Sequence, residues 1–179
     1  MTHETVYVFT GSNKSARPIF PDLTDESGQE IELGREYVTD EAMAHVDGYQ
    51  GYRAPLDALN GAADAPWDIT HVVIRELWGD GDEDGVVART HCRNIAAVRI
   101  DDVLRQFATE HSNRDLSALP AHRAAITAAG EVALATASGD GRINDGPMSN
   151  HGLCRYAKAR AELNERLHAM IQQRISESA

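Results

Sequence analysis

The chain has 179 residues, 42% of them apolar and 25% charged, with a formal net charge of -11. That length and apolar content suffice for one good core with an appendage rather than for two full domains. An acidic balance disfavours a bare phosphate-binding surface, because affinity for nucleic acid comes largely from Lys and Arg displacing counterions, so a basic partner fits better. Cys92 and Cys154 are too few for a secreted disulfide scaffold, and no run approaches the roughly 18 apolar residues of a membrane span. The expectation is a soluble protein in a reduced cytoplasm, with no direct nucleic-acid binding and no membrane.

Taken in chain order, Thr5-Val6-Tyr7-Val8-Phe9 has the β-branched and aromatic content of a strand, and Gly11-Ser12-Asn13 ends it as a turn. Pro18 to Gln29 reads as a surface loop before a strand at Gln29 to Leu33, which a third strand at Arg35 to Val38 continues across Gly34 as a bulge. Thr39 or Asp40 caps a short helical turn reaching Ala44. Pro55 at a first helical position, followed by Leu56, Ala58 and Leu59, predicts a short helix that ends near Gly61 and lies over the sheet. Ile69 to Leu77 predicts a strand, Gly79 to Gly85 a turn, and Val86 to Thr90 the second arm of a hairpin.

Ile95 to Ile100 predicts a further strand, after which Asp101 caps a helix with Val103, Leu104, Phe107 and Ala108 on one face, ending at His111-Ser112-Asn113. Beyond Pro120, alanine favours helix while Thr and Val favour strand, so Glu131 to Ala137 stands as either. The last element is a long amphipathic helix capped by Asn150, with Leu153, Tyr156, Leu163, Leu167, Met170, Ile171 and Ile175 at near-helical spacing. Its apolar stripe, centred on Leu163, Leu167, Met170 and Ile171, must cover the domain or meet another copy. The expected partner is accordingly a protein, or the chain itself through this helix. The fold class is α+β: a β-rich main domain over 1–111 with short covering helices, an Ala/Gly-rich connecting segment over 112–149, and the C-terminal helix over 150–179.

Motifs with specific chemistry are mostly incomplete. Gly11-Ser12-Asn13-Lys14-Ser15 follows a strand as a phosphate-binding loop would, but the Gly four residues before a Gly-Lys pair is missing. His91 and Cys92, adjacent on a strand, point to opposite faces, which leaves only His151 and Cys154 able to share a metal, so no structural metal is expected. Asp80, Asp82 and Asp84 alternate like calcium ligands, yet a calcium loop begun at Asp80 needs a closing Glu where His91 stands. No nucleophile elbow, paired-His helix or dinucleotide fingerprint is present, and neither catalytic residues nor a cofactor are expected.

The stretch Gly48-Tyr49-Gln50-Gly51-Tyr52-Arg53-Ala54-Pro55-Leu56-Asp57 resembles the signature of an uncharacterised family of phage and prophage proteins, Gly-Phe-His-Ala-Cys, two variable residues, then Pro-Leu-Asp. Leu33-Gly34-Arg35-Glu36-Tyr37 and Asp84-Gly85-Val86-Val87-Ala88 resemble strands flanking that signature, and Ala135 to Asp140 resembles one unit of the Ala-Thr-Ser-Gly-Asp repeats of longer members. Gln50 stands where the pattern has His and Tyr52 where it has Cys, so the two residues best suited to acid–base or nucleophilic chemistry are replaced. The resemblance implies a non-catalytic interaction or structural protein, acting in the host cytoplasm or the virion. Two alternatives stand beside it. One is a small transferase or hydrolase with Tyr49, Gln50, Tyr52 and Arg53 lining a pocket for a nucleotide-like ligand. The other is an acidic mimic of nucleic acid, which requires the acids to cluster on one surface.

Overall fold

The computed structural model of the chain describes residues 3–12, 32–40, 42, 49–139 and 150–178. An antiparallel sheet of five strands carries four helices, in the order β1 (Glu4–Ser12), β2 (Glu36–Val38), β3 (Tyr49–Gly51), α1 (Pro55–Gly61), β4 (Ile69–Asp84), β5 (Val86–Arg99), α2 (Asp101–His111), α3 (Ala121–Ser138) and α4 (Asn150–Ser178). The fold is α+β, with the long C-terminal helix that its apolar period predicts. No described helix is long and apolar enough to cross a membrane.

β4 and β5 form a long hairpin, with β1 on the free side of β4 and both β2 and β3 on the far side of β5. The sequence divides β5 into two strands and reads Gly79 to Gly85 as a turn; instead β4 runs to Asp84, and only Gly85, at φ 70°, makes the tight reversal. Two β-bulges let the strands continue. Gly79 and Asp80 together oppose Thr90, with Gly79 at φ 93°, and Ile95 is the extra residue between the pairs Ile74–Ala96 and Arg75–Asn94. A bulge bends its strand and turns the following side chains to the other face, which is how polar and glycine-rich residues that look like loop are carried inside a ladder.

That bending closes the sheet on one side. β3 pairs with β5, and the next residue, Tyr52, exchanges both backbone hydrogen bonds with Tyr7 of β1, Tyr7 N–H to Tyr52 O at 2.7 Å and Tyr52 N–H to Tyr7 O at 3.0 Å. The curl encloses a small core of Val6, Leu77, Val87 and Cys92, with Tyr37 and Tyr49 packed against it. The opposite face of β1 and β4, with Tyr7, Phe9, Val72 and Ile74, meets the helices in the main core.

The helices explain several differences from the sequence reading. Residues 121–138, within the range read as a connecting segment, form α3, whose Ala121, Ala125 and Ala129 are buried in the same core as the sheet. Alanine carries no side-chain entropy cost in a helix, and this outweighs the scattered Thr and Val of the segment. α3 stops at Gly139, which takes φ 77° and donates its N–H to Ala135 O. Asp101 does not cap α2: Ile100 holds that position, and the Asp101 carboxylate instead accepts Thr70 N–H at 2.9 Å and pairs with Arg99 at 2.6 Å. Asn150 is the first residue of α4. Gly34 sits at φ 78° next to an isolated parallel bridge between Leu33 and Asn94, rather than in a bulge joining two strands. The strand expected at Gln29 to Leu33, the helical turn near Thr39 to Ala44 and the incomplete phosphate loop fall largely outside the described residues.

Candidate functional site

The segment that resembles a family signature is the joint of the fold. At Gly51 an added methyl group would lie 2.8 Å from Val6 Cβ and closer still to Val6 Cγ2, so only glycine lets β3 approach β1. Pro55 supplies the preset φ of a first helical turn, and Ala54, the N-cap, has no side-chain cap of its own. That deficit is met from α4, where Asn164 Oδ1 accepts Leu56 N–H at 2.9 Å and Arg160 pairs with Asp57 at 2.7 Å. Leu56 is buried in the main core. Gly51, Pro55, Leu56 and Asp57 of this stretch are thus engaged by the architecture, in closing the sheet, starting α1, filling the core and tying α1 to α4, while Gly48 lies outside the described residues.

The four candidate binding residues occupy different surroundings. Tyr49 packs on the inner core with Tyr37 at a ring separation of 6.1 Å, and burial, with the neighbouring Cys92, raises its phenol above the ordinary value. The backbone carbonyl of Gln50 accepts a hydrogen bond from Arg75 at 3.0 Å. Tyr52 turns the other way, onto the main core, with its ring against Gly61. Arg53 is half exposed in an ionic ring that alternates sign: Arg53 holds Glu4 at 2.6 Å and Glu83 at 2.9 Å, and Arg89 holds the same two carboxylates from the other side.

Arg75 and Cys92 also belong to this inner region. Arg75 donates to Asn94 Oδ1 at 2.9 Å, which satisfies an amide that is almost fully buried. The Cys92 thiol is pushed up to about 11 by burial, against a weaker opposing pull from Arg75, so it stays protonated and unreactive at neutral pH. His91, its neighbour in sequence, faces outward against Trp78. Among the described residues no three His, Cys, Asp or Glu side chains gather in an arrangement able to hold a metal ion.

The ionic ring makes a pH prediction. Hydrogen bonds from Arg53 and then Arg89 bring the Glu83 carboxyl down to about 2 from an ordinary 4.5. An acid whose folded-state value is depressed adds stability that is fully present above its unfolded value and is lost as pH falls through the folded one. Stability should therefore decline between pH 4.5 and 2, and the decline should be shallower in Glu83→Gln, as measured by denaturant unfolding at a series of pH values. Since Glu83 is exposed, added salt should shrink the difference between the two proteins.

The outer face of the curled sheet is organised in rows. His3, Trp78, His91 and Val38 lie side by side, with His3 stacked on Trp78 at 4.8 Å and Trp78 against His91 at 5.6 Å. Next to them runs an ionic row in which Arg93 pairs with Glu76 at 2.5 Å and stands opposite Glu36. At the β2 side of the sheet three large apolar side chains are left in solvent: Val38 at 62% and Ile95 at 45% exposure, and Leu33 at 55% beside Asn94. Sequence reasoning placed Ile95 within an ordinary strand; the bulge is what puts it outside. No local signal marked the patch, since a bulge depends on the register of both strands.

The stripe of α4 has a definite location. Leu163, Leu167, Met170 and Ile171 are all buried in the main core of this chain, so of the two destinations open to the stripe it is the domain that they cover. A polar row beside it completes the clasp: Arg160 and Asn164 hold α1, and His168 Nδ1 bonds the buried Tyr7 hydroxyl of β1. Leu153, counted in the stripe by its spacing, is half exposed.

Compared with family models, curated proteins and solved structures, the chain matches none.

Proposed function

We infer that the protein works by binding another protein rather than by catalysis, as an interaction or structural component of phage or prophage origin. The role is that of a virion part or of a protein that occupies a host factor. The observation that carries this reading is that three large apolar side chains stand open to solvent around the β2 side of the sheet, Val38 and Ile95 on either side of the Glu36–Arg93 position and Leu33 beside Asn94. Large apolar side chains exposed in one region, here rimmed by charges, fit a contact surface, and the Ile95 bulge gives up a ladder position to present one of them. With a net charge of -11, the favoured occupant is a protein with an apolar contact patch set in a basic surface. The phage origin rests on the signature-like blocks, and the non-catalytic character on the architectural roles that occupy Gly51, Pro55, Leu56 and Asp57. A pocket for a nucleotide-like ligand would need Tyr49, Gln50, Tyr52 and Arg53 to converge, whereas their side chains and backbone serve the inner core, the main core and the ionic ring.

Val38→Asp and Ile95→Asp test the reading, because both positions are open to solvent and the folded state should tolerate a charge there. The expected result is unchanged circular dichroism with at least tenfold weaker binding, about 1.4 kcal/mol, to a partner found among capsid, tail or host proteins by titration with purified candidates. Equal binding by wild type and both variants would exclude this face. A measured turnover abolished by Gln50→Ala with Tyr52→Phe, in a protein still folded, would exclude the non-catalytic reading itself.

A further inference from the structure

His122, in the first turn of α3, is fully buried, with the backbone of Ala65 beside its ring and no well-formed hydrogen bond at either ring nitrogen. Its ring lies against Trp67, with centroids 5.7 Å apart. Thr70, at the start of β4, is likewise fully buried with an unpartnered hydroxyl, and its backbone N–H reaches the Asp101 carboxylate at the beginning of α2. His71, next along β4, is also buried. The place where β4, α2 and α3 meet therefore contains one buried imidazole, His122, with the Asp101 carboxylate nearby, while His71 alternates to the other face of β4. Asp101 is already committed, to Thr70 N–H at 2.9 Å and to Arg99 of β5 at 2.6 Å.

Charged groups lie on several elements around this junction, among them Asp64 and Asp68 in the segment that carries Trp67. Arg123 follows His122 on α3, with its guanidinium bonded to Ala63 O; Arg99 and Asp101 form a pair at the end of β5 and the start of α2; and Arg174 of α4 reaches Asp102 and the carbonyl of Arg99. Burial lowers the proton affinity of His122, and Arg123 lowers it further, while hydrogen bonding toward the backbone of Ala65 and the charge of Asp101 act in the opposite sense. Burial does the same to His71, opposed by Asp101 and assisted by Arg99. A second proton on the His122 ring would place a cation where burial and Arg123 both oppose it.

What such a proton would loosen follows from the packing of α3. Its buried side chains are alanines, at 121, 124, 125, 128, 129, 133 and 137, together with His122 itself. A methyl group buries far less apolar area than a leucine, so even with Ile126 and Val132 partly buried against the core, α3 inserts less apolar bulk than α4, with its Leu163, Leu167, Met170 and Ile171. Elements with little buried apolar area open locally at lower free energy than the rest of a domain.

We propose that the junction of His122 with Trp67, Thr70 and Asp101 makes the seating of α3 acid-sensitive, so that mild acidification frees this helix while the sheet and α4 stay folded. Release would uncover Ala108 and Leu116, which pack on Ala124 and Ala128, and so would present an apolar surface that is hidden at neutral pH. The sign follows from linkage: a histidine buried in its neutral form costs nothing above its unfolded value of 6.5, and below it the open state binds the proton that the closed state refuses.

Hydrogen exchange of the full chain at about pH 7.5 and about pH 5.5, corrected for intrinsic rates, tests this. One unit below the unfolded histidine value, linkage predicts about tenfold faster opening of α3 through His122, with amides of β4 and α4 changed far less. His122→Phe keeps a ring against Trp67 and removes the titrating group, and it should abolish the response; should that variant fail to fold, His122→Gln replaces it with the same expectation. Acid-independent exchange of α3 in the wild type would overturn the proposal. So would an undiminished response in the His122 variant, or one that disappears only with His71→Gln.

Discussion

Replacing Leu167 with Asp should leave the chain unfolded rather than split an assembly into folded monomers. Leu167 is fully buried at the centre of the main core, between the sheet and the helices. Truncating such a leucine to alanine costs about 2–5 kcal/mol through lost burial and the cavity left behind, and a carboxylate adds the penalty of an unpaired charge in an apolar site. Set against a total stability of about 5–15 kcal/mol for an ordinary domain, the sum removes the folded state. Circular dichroism and light scattering should record loss of cooperative melting together with aggregation or an expanded chain. Leu167→Ala should remain folded with a stability lower by about 2–5 kcal/mol. Folded, monomeric Leu167→Asp derived from a larger wild-type assembly would show that α4 lies in an interface instead.

Gly51→Ala should destabilise the protein by about 3 kcal/mol, the upper range for overpacking a tight site. The added methyl would stand 2.8 Å from Val6 Cβ and 3.3 Å from Tyr7 O, so side-chain motion alone cannot make room. Something in the backbone must shift, and the nearest element is the Tyr7–Tyr52 bridge that closes the sheet. For a chain of this size the change corresponds to a drop in Tm of roughly 6–12 °C. Val6→Ala removes the Cγ methyls but not Cβ, so the double variant should recover part of the loss, and a thermodynamic cycle should give a coupling of about 1 kcal/mol or more. Strict additivity of the two changes would mean that Gly51 and Val6 do not meet as described.

Both predictions concern features that a one-dimensional pattern reveals only in part. The period of α4 was readable because leucine, methionine and isoleucine recur every three or four residues, and Pro55 marked the start of α1 through its fixed φ. β1 and the centre of β4 were readable from dense β-branched and aromatic residues. These are local properties of the chain, and they sufficed for the α+β class.

Contacts between distant residues decided the rest. Whether the stripe of α4 would cover the domain or meet another copy depends on the shape of the surface it meets, to which Tyr7, Phe9, Leu56 and Phe107 contribute. Neither bulge has a local code, since an extra residue in one strand is defined only against its partner; that register leaves Ile95 exposed and Asn94 buried beside Arg75. The candidate ligand quartet looked like one site because Tyr49, Gln50, Tyr52 and Arg53 are close in sequence, yet a strand alternates its side chains between faces and the sheet closes just after Gly51, so the four were divided. Alanine in residues 121–138 allowed a helix without stating that it would be buried, and the burial of the His122 imidazole came with it. The sequence by itself determined the elements whose period or backbone restriction is local; the tertiary structure alone decided register, closure and burial, because each is a relation between residues that the chain brings together only on folding.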